Sequence, residues 1–400
     1  MLTVAEALEQ LLATISPLDV TETPLRCALG MTLSEVVHSS IDSPSFDKSS
    51  MDGYAVRASD VATGLASLQV IETITAGRMP TKSVGPGEAA QIMTGAPLPK
   101  GADTVIKVEE TRLDGERVSI ATKPPGVGAN VIRRGTSVRA GDCVLRAGLT
   151  LNGARIGALA ELGRASVPVR RRPRVAVLAT GDELVAIEEI PGPGQIRNSN
   201  ASMLTAQIEA VGGVAVPLGI ARDNRESLRT KIQQGLQCDV LVLSGGVSAG
   251  TLDLVPSTLA ESGVREVFHK VEMKPGKPIW FGVWNAQTIC YVFGLPGNPV
   301  SSLVCCELFV RTAIKRLMGV EPAVPQSILA TLEHDHSTRT DRPTYHPARL
   351  TWTAEGLAVT LVPWHGSSDL CGTVAANGMA YLSGEARQYH IGDRLETFAW

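Results

Sequence analysis

The chain has 400 residues, of which 37 are basic and 40 acidic, giving a formal net charge of −3. This length predicts about two to four domains, and the near balance of charge argues against broad binding to nucleic acid or to membrane surfaces. The seven cysteines form no CxxC pair, and the apolar runs are too short to span a bilayer. Since the N-terminus carries acidic residues and no early basic residue, we expect a cytoplasmic protein with reduced thiols.

The first 170 residues predict two helical stretches with a β-rich region between them. Residues 3–15 have the apolar spacing of an amphipathic helix, and Thr3 and Glu6 match a capping box. Between residues 43 and 141, Gly and Pro recur between short β-rich runs, which is typical of a β domain with many turns. The run NGARIGALAELG predicts a second helix. We expect it to pack against the first, so that the first domain is discontinuous.

From residue 174 the pattern alternates between strand and helix. RVAVLAT is a nearly continuous apolar run, as expected for a strand buried on both faces, and VAVPLGI, DVLVLSGG and TICYVFGL follow it. Between them lie helical patterns, for which Asn200, Asp223 and Asn298 are the predicted N-caps, with Pro299 as the first residue of the last helix. VREVFHKVEM alternates like an edge strand. This order predicts an open, mostly parallel α/β sheet with right-handed crossovers.

After residue 319 the pattern returns to short strands separated by turns. The strand candidates are ATLEHDH, ARLTWTA, LAVTLVP, GMAYLSG and DRLETFAW. Five short strands of this kind predict a small C-terminal β-barrel or sandwich.

Three of the predicted strands in the α/β region end in glycine-rich turns, at residues 179–183, 244–253 and 294–299. Ligands bind outside the carboxyl ends of strands in such sheets, where glycines let the backbone approach and helix N-termini favour anions. One such turn is most simply a tight connection, but three on one sheet predict a site for a phosphorylated ligand. The hydroxyl groups available as donors belong to Thr180, Ser244, Ser248 and Thr251.

Charged side chains accompany these turns. Asp182, Glu183 and Asp253 would place carboxylates beside an anionic ligand, a conflict that a hard cation such as Mg²⁺ resolves by bridging carboxylate and phosphate oxygens. Asp182 could equally be a helix cap, so Glu183 and Asp253 are the predicted metal ligands. Lys274 and Lys277 lie in KPGKP, a turn that prolines stiffen, and would stabilise negative charge on transferred oxygens.

Six motifs together resemble the molybdopterin molybdenumtransferase family, the last enzyme in molybdenum-cofactor assembly, whose pattern the gephyrin E domain shares. MDGYAV followed by MTGAP and GLPGNP carries most of the resemblance. The motifs are PSFDKSSMDGYAVR at 44–57, IMTGAPLPKGADTVIKVEE at 92–110, TGDEL at 180–184, SGGVSAGTLD at 244–253, KPGKP at 274–278 and GLPGNPVSS at 294–302.

The resemblance implies a multidomain α/β plus β protein, in agreement with the pattern read along the chain. The predicted domains are an elongated discontinuous domain at 1–42 and 140–172, a β-rich domain at 43–139, an α/β molybdopterin-binding domain at 173–320 and a C-terminal β domain at 321–400. The resemblance also implies a homodimer, in which each cleft combines the α/β domain of one chain with other domains of its partner.

The implied reaction uses adenylylated molybdopterin, molybdate and Mg²⁺, and releases AMP. Expected partners beyond the substrates are a molybdopterin adenylyltransferase and recipient molybdoenzymes, with no nucleic acid and no membrane. The residues assigned to catalysis are Asp52, Glu183, Asp253, Lys274 and Lys277, of which Glu183 and Asp253 are the metal ligands. The residues assigned to substrate binding, from the turns and from the resemblance, are Thr94, Thr180, Gly181, Asp182, Ser244, Gly245, Gly246, Ser248, Pro296, Gly297, Pro299 and Ser367.

The chain departs from the family pattern at two places. Members commonly read RRGED where this chain reads RRGTS at 133–137, so that hydroxyls replace an acidic pair. An arginine usual after R-P-x-Y-H is replaced by Pro347, with Arg349 two residues on as the candidate substitute. Because a neutral proline cannot hold an oxyanion by charge, the second departure concerns the affinity for molybdate.

Two other functions are compatible with parts of the pattern. A non-catalytic molybdopterin-binding or scaffold protein could use the same fold, and the two departures are the features that favour it. An adenylyltransferase acting on molybdopterin needs only the α/β domain, so the MDGYAV region and the C-terminal β domain argue against it.

Overall fold

The computed structural model describes residues 1–247, 254–286, 288–338, 342–385 and 387–400. These residues fall into two units. One unit comprises Met1–Glu35, Gly148–Gly153 and Ser166–Trp400, and the other comprises Val36–Ala147 and Ala154–Ala165. The predicted division into four domains is finer than this and stays a prediction. Within the described ranges, no helix combines the length and the apolar composition needed to cross a bilayer.

The helices largely follow the predicted pattern. Thr3 caps the first helix and forms the expected capping box with Glu6. The helices are α1 Val4–Thr14, α2 Gly153–Glu161, α3 Ser199–Ala210, α4 Arg225–Gly235, α5 Leu254–Glu261, α6 Pro299–Cys305 and α7 Arg311–Leu317, with a π-helical turn at Cys306–Val310 between the last two. Short 3₁₀ turns occupy Leu25–Cys27, Ala58–Val61, Val108–Glu110 and Cys371–Thr373.

Two of the predicted caps were wrong by one or two residues. The N-cap of α3 is Asn198, which accepts from the backbone N–H of Ala201, so Asn200 does not cap this helix. The N-cap of α4 is Asn224, not Asp223. Both errors arise because several polar residues precede each helix, and the final turn of the loop decides which side chain reaches the free N–H groups.

The α/β region forms a six-stranded sheet, which confirms the predicted fold class. Its strands are β1 Arg174–Thr180, β2 Val214–Ala221, β3 Val240–Ser244, β4 Arg265–His269, β5 Trp280–Asn285 and β6 Ile289–Leu295. The spatial order is β2-β1-β3-β6-β5-β4. β1, β2, β3 and β6 pair in parallel, while β5 and β4 are antiparallel and β4 is the edge strand predicted from its alternating pattern.

Apolar cores cover both faces of this sheet, as the unbroken apolar strands predict. On one face, Val175, Val177 and Phe293 pack in a core that also contains Leu11 of α1. On the other face, Leu178 and Leu243 pack among residues of α4 and α5. Since each strand is held from two sides, its end lies at a fixed place in the sheet, and the turns that follow are anchored there.

The C-terminal segment closes into a five-stranded barrel, one of the two predicted alternatives. Its strands are β7 Ile328–Leu332, β8 Thr344–Thr353, β9 Gly356–Leu361, β10 Gly378–Leu382 and β11 Arg394–Ala399. The order around the barrel is β7-β9-β8-β10-β11. A separate small pair joins His336–Thr338 to Arg387–Tyr389.

The remaining strands form smaller sheets in each unit. In the unit that contains residue 52, six strands pair in the order Thr104–Lys107, Gly53–Val56, Glu88–Ile92, Leu65–Ile74, Arg117–Ala121 and Thr111–Asp114. Lys48–Ser49 pairs with Val131–Ile132, and Val37–His38 pairs with Cys143–Leu145. In the other unit, Ser166–Arg170 lies between Val20–Pro24 and Thr32–Leu33, and Leu184–Val185 pairs with Ile196–Arg197.

Candidate functional site

The carboxyl ends of three parallel strands meet at one edge of the six-stranded sheet. Ala179 of β1 lies opposite Ser244 of β3, and Ser244 lies opposite Leu295 of β6. The backbone N–H of Gly245 donates to the carbonyl of Leu295 at 3.0 Å. The register therefore places the three glycine-rich turns side by side.

Close backbone packing explains the glycine at position 245. Its φ is +101°, and a Cβ atom there would lie 2.6 Å from the carbonyl oxygen of Thr180. The Thr180 side chain is buried, and its hydroxyl reaches the carbonyl of Ser244 at 3.5 Å. A Cβ on Gly297, in the third turn, would be 3.6 Å from the Cα of Gly245. The first two turns thus approach each other closely enough to require glycine at position 245, whereas a Cβ on Gly297 would make only an ordinary contact.

Asn200 joins two of these turns, a role that the sequence did not indicate. Its Nδ2 donates to the Ser244 hydroxyl at 2.7 Å and to the Gly297 carbonyl at 2.8 Å. In the sequence, Asn200 belongs to a polar run ahead of α3, and such a run favours helix capping.

The two adjacent carboxylates after β1 have different surroundings. Asp182 accepts from the backbone N–H of Asp223 at 3.2 Å, so it links the ends of β1 and β2. Glu183 is exposed, and its carboxylate has no hydrogen bond or ion pair within the described residues. It lies over the backbone of Gly181, where a Cβ atom would meet Glu183 Oε2 at 2.5 Å. Asp182 therefore has a structural task, whereas Glu183 is available to a ligand.

Part of the predicted site lies outside the described residues. Ser248, Thr251 and Asp253 belong to this part. Within the described ranges, no group of three or more His, Cys, Asp or Glu side chains is arranged to hold a metal ion. Of the two predicted metal ligands, only Glu183 has a described position. An unpaired carboxylate is the donor type that Mg²⁺ prefers, so Glu183 fits the predicted ion.

The KPGKP turn is attached to both the α/β region and the barrel. The backbone N–H of Lys274 donates to Pro343 and its carbonyl accepts from Tyr345, each at 2.8 Å. A Cβ on Gly276 would lie 2.5 Å from Cys305 Sγ, so the turn also packs closely on α6. Lys274 is half-buried and Lys277 is exposed. Neither ammonium group has a hydrogen bond or an ion pair among the residues that are described.

A loop of the C-terminal region contacts the turn after β6. The carbonyl of Ser367 accepts from Val300 N–H, and its hydroxyl accepts from Asn298 Nδ2, both at 3.0 Å. Asn298 holds the predicted N-cap position of α6, but its side chain bonds to Ser367 and does not cap the helix. Pro299 is the first helical residue, as predicted. Ser367 is thereby held beside the turn that contains Pro296.

Pro347, which stands where the family has an arginine, is buried in β8 opposite Met379. Its carbonyl accepts from the N–H of Val362 at 3.1 Å. Side chains two residues apart on a strand share a face, so Arg349 lies on the same face of β8 as Pro347. Arg349 is exposed, and its guanidinium has no hydrogen bond or ion pair to any described residue. It remains the candidate substitute.

In the other unit, Asp52 and Thr94 are in direct contact. Asp52 Oδ1 accepts from both the backbone N–H and the hydroxyl of Thr94, each at 2.7 Å. These bonds, the backbone one first, lower the pKa of Asp52, so its carboxylate is charged at neutral pH. Both residues are exposed. The MDGYAV and MTGAP motifs therefore converge on one hydrogen-bonded pair.

The other departure from the family pattern also lies in this unit. Arg133 and Arg134 pair with Asp47 and Asp42, each at 2.6 Å. The Thr136 hydroxyl donates to the carbonyl of Arg133 at 2.6 Å, so it closes its own turn. The hydroxyl that replaces an acidic residue thus has a local structural partner.

Comparison with known proteins identifies both halves of the chain. Residues 2–163 match the family model of the MoeA N-terminal region, domains I and II, and residues 176–316 match that of a probable molybdopterin binding domain. A molybdopterin molybdenumtransferase of Staphylococcus aureus is 33% identical over 401 residues, covering 98% of this chain and 94% of the relative. One from Nostoc sp. is 39% identical over 316 residues, covering 78% and 72%. The crystal structure of a molybdopterin biosynthesis moeA protein from Pyrococcus horikoshii OT3 superposes with a TM-score of 0.83 at 28% identity and covers 100% of both chains.

Proposed function

The chain belongs to the molybdopterin molybdenumtransferase family of enzymes, and from this premise we propose that it inserts molybdenum from molybdate into adenylylated molybdopterin with release of AMP. A role in molybdenum-cofactor biosynthesis follows from the family itself. The observation that carries the finer proposal is a pair of lysines, Lys274 and Lys277, whose ammonium groups have no partner among the described residues and which lie on a turn bonded to the barrel. In the proposed reaction Mo–S bonds form while oxygens of molybdate leave as water, and water cleaves the phosphoanhydride, so no oxidant or reductant is needed.

The phosphate end of the substrate is assigned to the three strand-end turns. Position 245 requires glycine because a side chain there would meet Thr180. Gly297 is exposed and has no side chain, so its backbone is open to a ligand. The Lys274 and Lys277 ammonium groups supply positive charge that no described acid neutralises, and such charge stabilises oxygens that become more negative as the anhydride breaks. Catalysis of this kind depends on positioning and electrostatics rather than on a covalent intermediate.

We assign Mg²⁺ to Glu183 and Asp253. The support for this is the unpaired Glu183 carboxylate at the strand edge, together with the acidic residue that the SGGVSAGTLD motif supplies. When bound, the ion would neutralise phosphate charge and polarise the anhydride. Asp182 is left out of the metal site because its carboxylate already accepts from Asp223.

The molybdate end is assigned to Lys274 and Ser367, with Arg349 supplying the charge that Pro347 lacks.

We also propose a homodimer, in which Asp52 and Thr94 of the partner chain complete each cleft. The proposal is supported by the position of Asp52 and Thr94, which come from the two most family-specific motifs. Together they make an exposed, hydrogen-bonded pair with a charged carboxylate.

Reconstitution tests the proposed reaction. Purified protein is mixed with adenylylated molybdopterin, Mg²⁺ and molybdate, and both AMP and the finished cofactor are measured. We expect AMP to appear only when molybdate is present, in amounts equal to the cofactor formed. Substrate that binds without any turnover would support the scaffold alternative instead.

The metal assignment makes a separate prediction at Glu183. Glu183→Gln keeps the size of the side chain but removes its charge, so we expect molybdate-dependent AMP release to fall by about 100-fold or more, with a higher requirement for Mg²⁺. Glu188→Gln, at an exposed residue in the loop that follows Leu184–Val185, is the matched control and should stay near the wild-type rate. A wild-type rate in Glu183→Gln would rule out this assignment.

A further inference from the structure

Asn200 is the second residue of α3 and has a role that neither helix capping nor the proposed chemistry explains. Its Nδ2 donates to Ser244 Oγ and to the Gly297 carbonyl. The carbonyl can only accept, so the nitrogen of the amide must face it, which fixes the orientation of the side chain. Both hydrogens of one amide are therefore committed to two different strand-end turns.

The bond to Ser244 continues to a second serine. Ser244 Oγ lies 3.4 Å from Ser302 Oγ, and Ser302 in turn donates to the carbonyl of Pro296 at 2.5 Å. Asn200 thus closes a series of hydrogen bonds that begins at the end of β3 and returns to the turn after β6. Among the described residues, the two turns are also joined by the bond from Gly245 to Leu295, at the strand ends themselves. Asn200 bonds to both turns beyond the strand ends.

Asn200 is not explained by a contribution to the stability of the fold. Asn200 Oδ1 is buried and has no donor among the described residues. A buried acceptor without a donor is destabilising, and this cost opposes the gain from the two bonds of Nδ2. Gly297 is exposed, so water can replace the amide there. We therefore expect the net contribution of Asn200 to the free energy of unfolding to be small.

We propose that Asn200 is a positioning residue, whose amide holds the turns at Ser244 and Gly297 at the spacing that bound molybdopterin requires. It acts through the two turns and does not contact the reacting atoms. The inference rests on the proposed function, because it assigns the phosphate end of the substrate to these turns.

Two substitutions separate this role from simple packing. Asn200→Ala removes the amide, and Asn200→Asp keeps its shape but removes both N–H donors. For both variants we expect kcat for AMP release to fall by about 10- to 100-fold, since small misplacements of a substrate are costly. The Kd for adenylylated molybdopterin, measured without molybdate by equilibrium dialysis, should rise less than kcat falls. The melting temperature of Asn200→Ala should change by less than about 2 °C.

Asn198→Ala is the matched control, since it removes the same residue type two positions earlier, at the N-cap of the same helix. It loses the cap bond to Ala201 and should lower the melting temperature. Its kcat per folded molecule should remain at the wild-type value, because the two turns are untouched.

Measuring both kcat and Kd distinguishes a failure of the positioning role from a failure of the proposed function. Wild-type kcat and Kd in both Asn200 variants would overturn the inference, as would a loss of kcat that only matches a loss of folded protein. If the wild type binds the substrate but releases no AMP, the proposed function fails. A raised Kd in both Asn200 variants, but not in Asn198→Ala, would still support the positioning role in that case.

Discussion

His346 is a buried histidine on the inner face of the barrel. Its ring lies 5.5 Å from that of His336 and 5.2 Å from that of Trp364, and its Nδ1–H donates to the carbonyl of Pro347 at 2.9 Å. Burial lowers the pKa of His346 to about 4; the bond to Pro347 opposes this shift, while the positive charges of His336, His334 and Lys274 add to it. The residue is therefore neutral in the folded protein at physiological pH.

This lowered pKa predicts a loss of stability in mild acid. In the unfolded chain a histidine takes up a proton near pH 6.5, but in the folded protein His346 does so only near pH 4. Between these values the unfolded state binds more protons, so the free energy of unfolding should decrease as the pH falls through this window, by about 3 kcal/mol at most.

Denaturant unfolding of His346→Phe at pH 7, 5.5 and 4.5 tests this. The variant should show a weaker pH dependence than the wild type, because its ring cannot be protonated. His390→Gln, at an exposed histidine, is the control substitution. If the free energy of unfolding depended on pH equally in all three proteins, His346 would not be the cause of that dependence.

Asp182 and Glu183 illustrate what a residue pattern can and cannot predict. GDEL after an apolar strand correctly indicated carboxylates at the sheet edge. Which of the two is free depends on a backbone N–H contributed by Asp223, 41 residues later in the chain. No local pattern encodes that contact, so helix capping and metal binding stayed open for Asp182 until the position of β2 was known.

Among the strands, Gly53–Val56 shows why a specific motif needs its glycine. This strand lies between Thr104–Lys107 and Glu88–Ile92. Gly53 is buried, and a Cβ atom there would lie 1.8 Å from the carbonyl oxygen of Ile106. The backbone of the neighbouring strand cannot move aside without breaking its pairing, so the glycine of MDGYAV is required by packing.

Gly53→Ala should therefore destabilise the unit that contains it. We expect about 1–3 kcal/mol, the usual cost of forcing extra volume into a packed site. Gly126→Ala, in an exposed loop with open space around the added Cβ, should change stability by less than about 0.5 kcal/mol. Chemical denaturation of both variants measures the difference, and equal stabilities would show that the strands can separate at low cost.

Helix boundaries show the range over which a local pattern is reliable. The capping box of α1 and the Pro299 start of α6 were predicted correctly. The caps of α3 and α4 were displaced to Asn198 and Asn224. Capping boxes and N1 prolines combine several constraints at one place, whereas a run of polar residues offers several caps of similar energy.

At the scale of the whole molecule, the proposed homodimer predicts complementation between two inactive variants. Asp52→Ala and Glu183→Gln should each be inactive alone. If each cleft combines residues of two chains, refolding the two variants together should form mixed dimers with one intact cleft and recover about a quarter of the wild-type rate. A cleft built within one chain would give no recovery, because every chain carries one substitution.

Light scattering of the same samples provides the necessary control. The wild type and both variants should have the mass of a dimer. A monomeric wild type with full activity would contradict the homodimer, and dimers that mix without recovery would contradict the shared cleft.

The sequence alone was sufficient for the kinds of elements and their order. Unbroken apolar strands, amphipathic helices and glycine-rich turns repeat over short distances, so the α/β sheet, the short C-terminal strands and the turns at 179–183 and 294–299 could be predicted from local periodicity. The closure of the C-terminal strands into a barrel could not, since a sandwich fitted the same pattern. The motifs identified the family for the same reason, because each lies within a continuous stretch.

Only the tertiary structure decided which groups face one another across those elements. Three such contacts join residues that are far apart in the chain. They are the register that aligns Ala179, Ser244 and Leu295, the hydrogen bonds from Asn200 to two turns, and the hydrogen bond between Ser367 and Asn298. Such contacts depend on how helices and strands pack, and the local periodicity of the sequence carries no information about residues that are distant in the chain. The sequence therefore predicts a phosphate site at the sheet edge, while the absence of a described partner for Glu183 and the two hydrogen bonds of Asn200 are visible only in the packed structure.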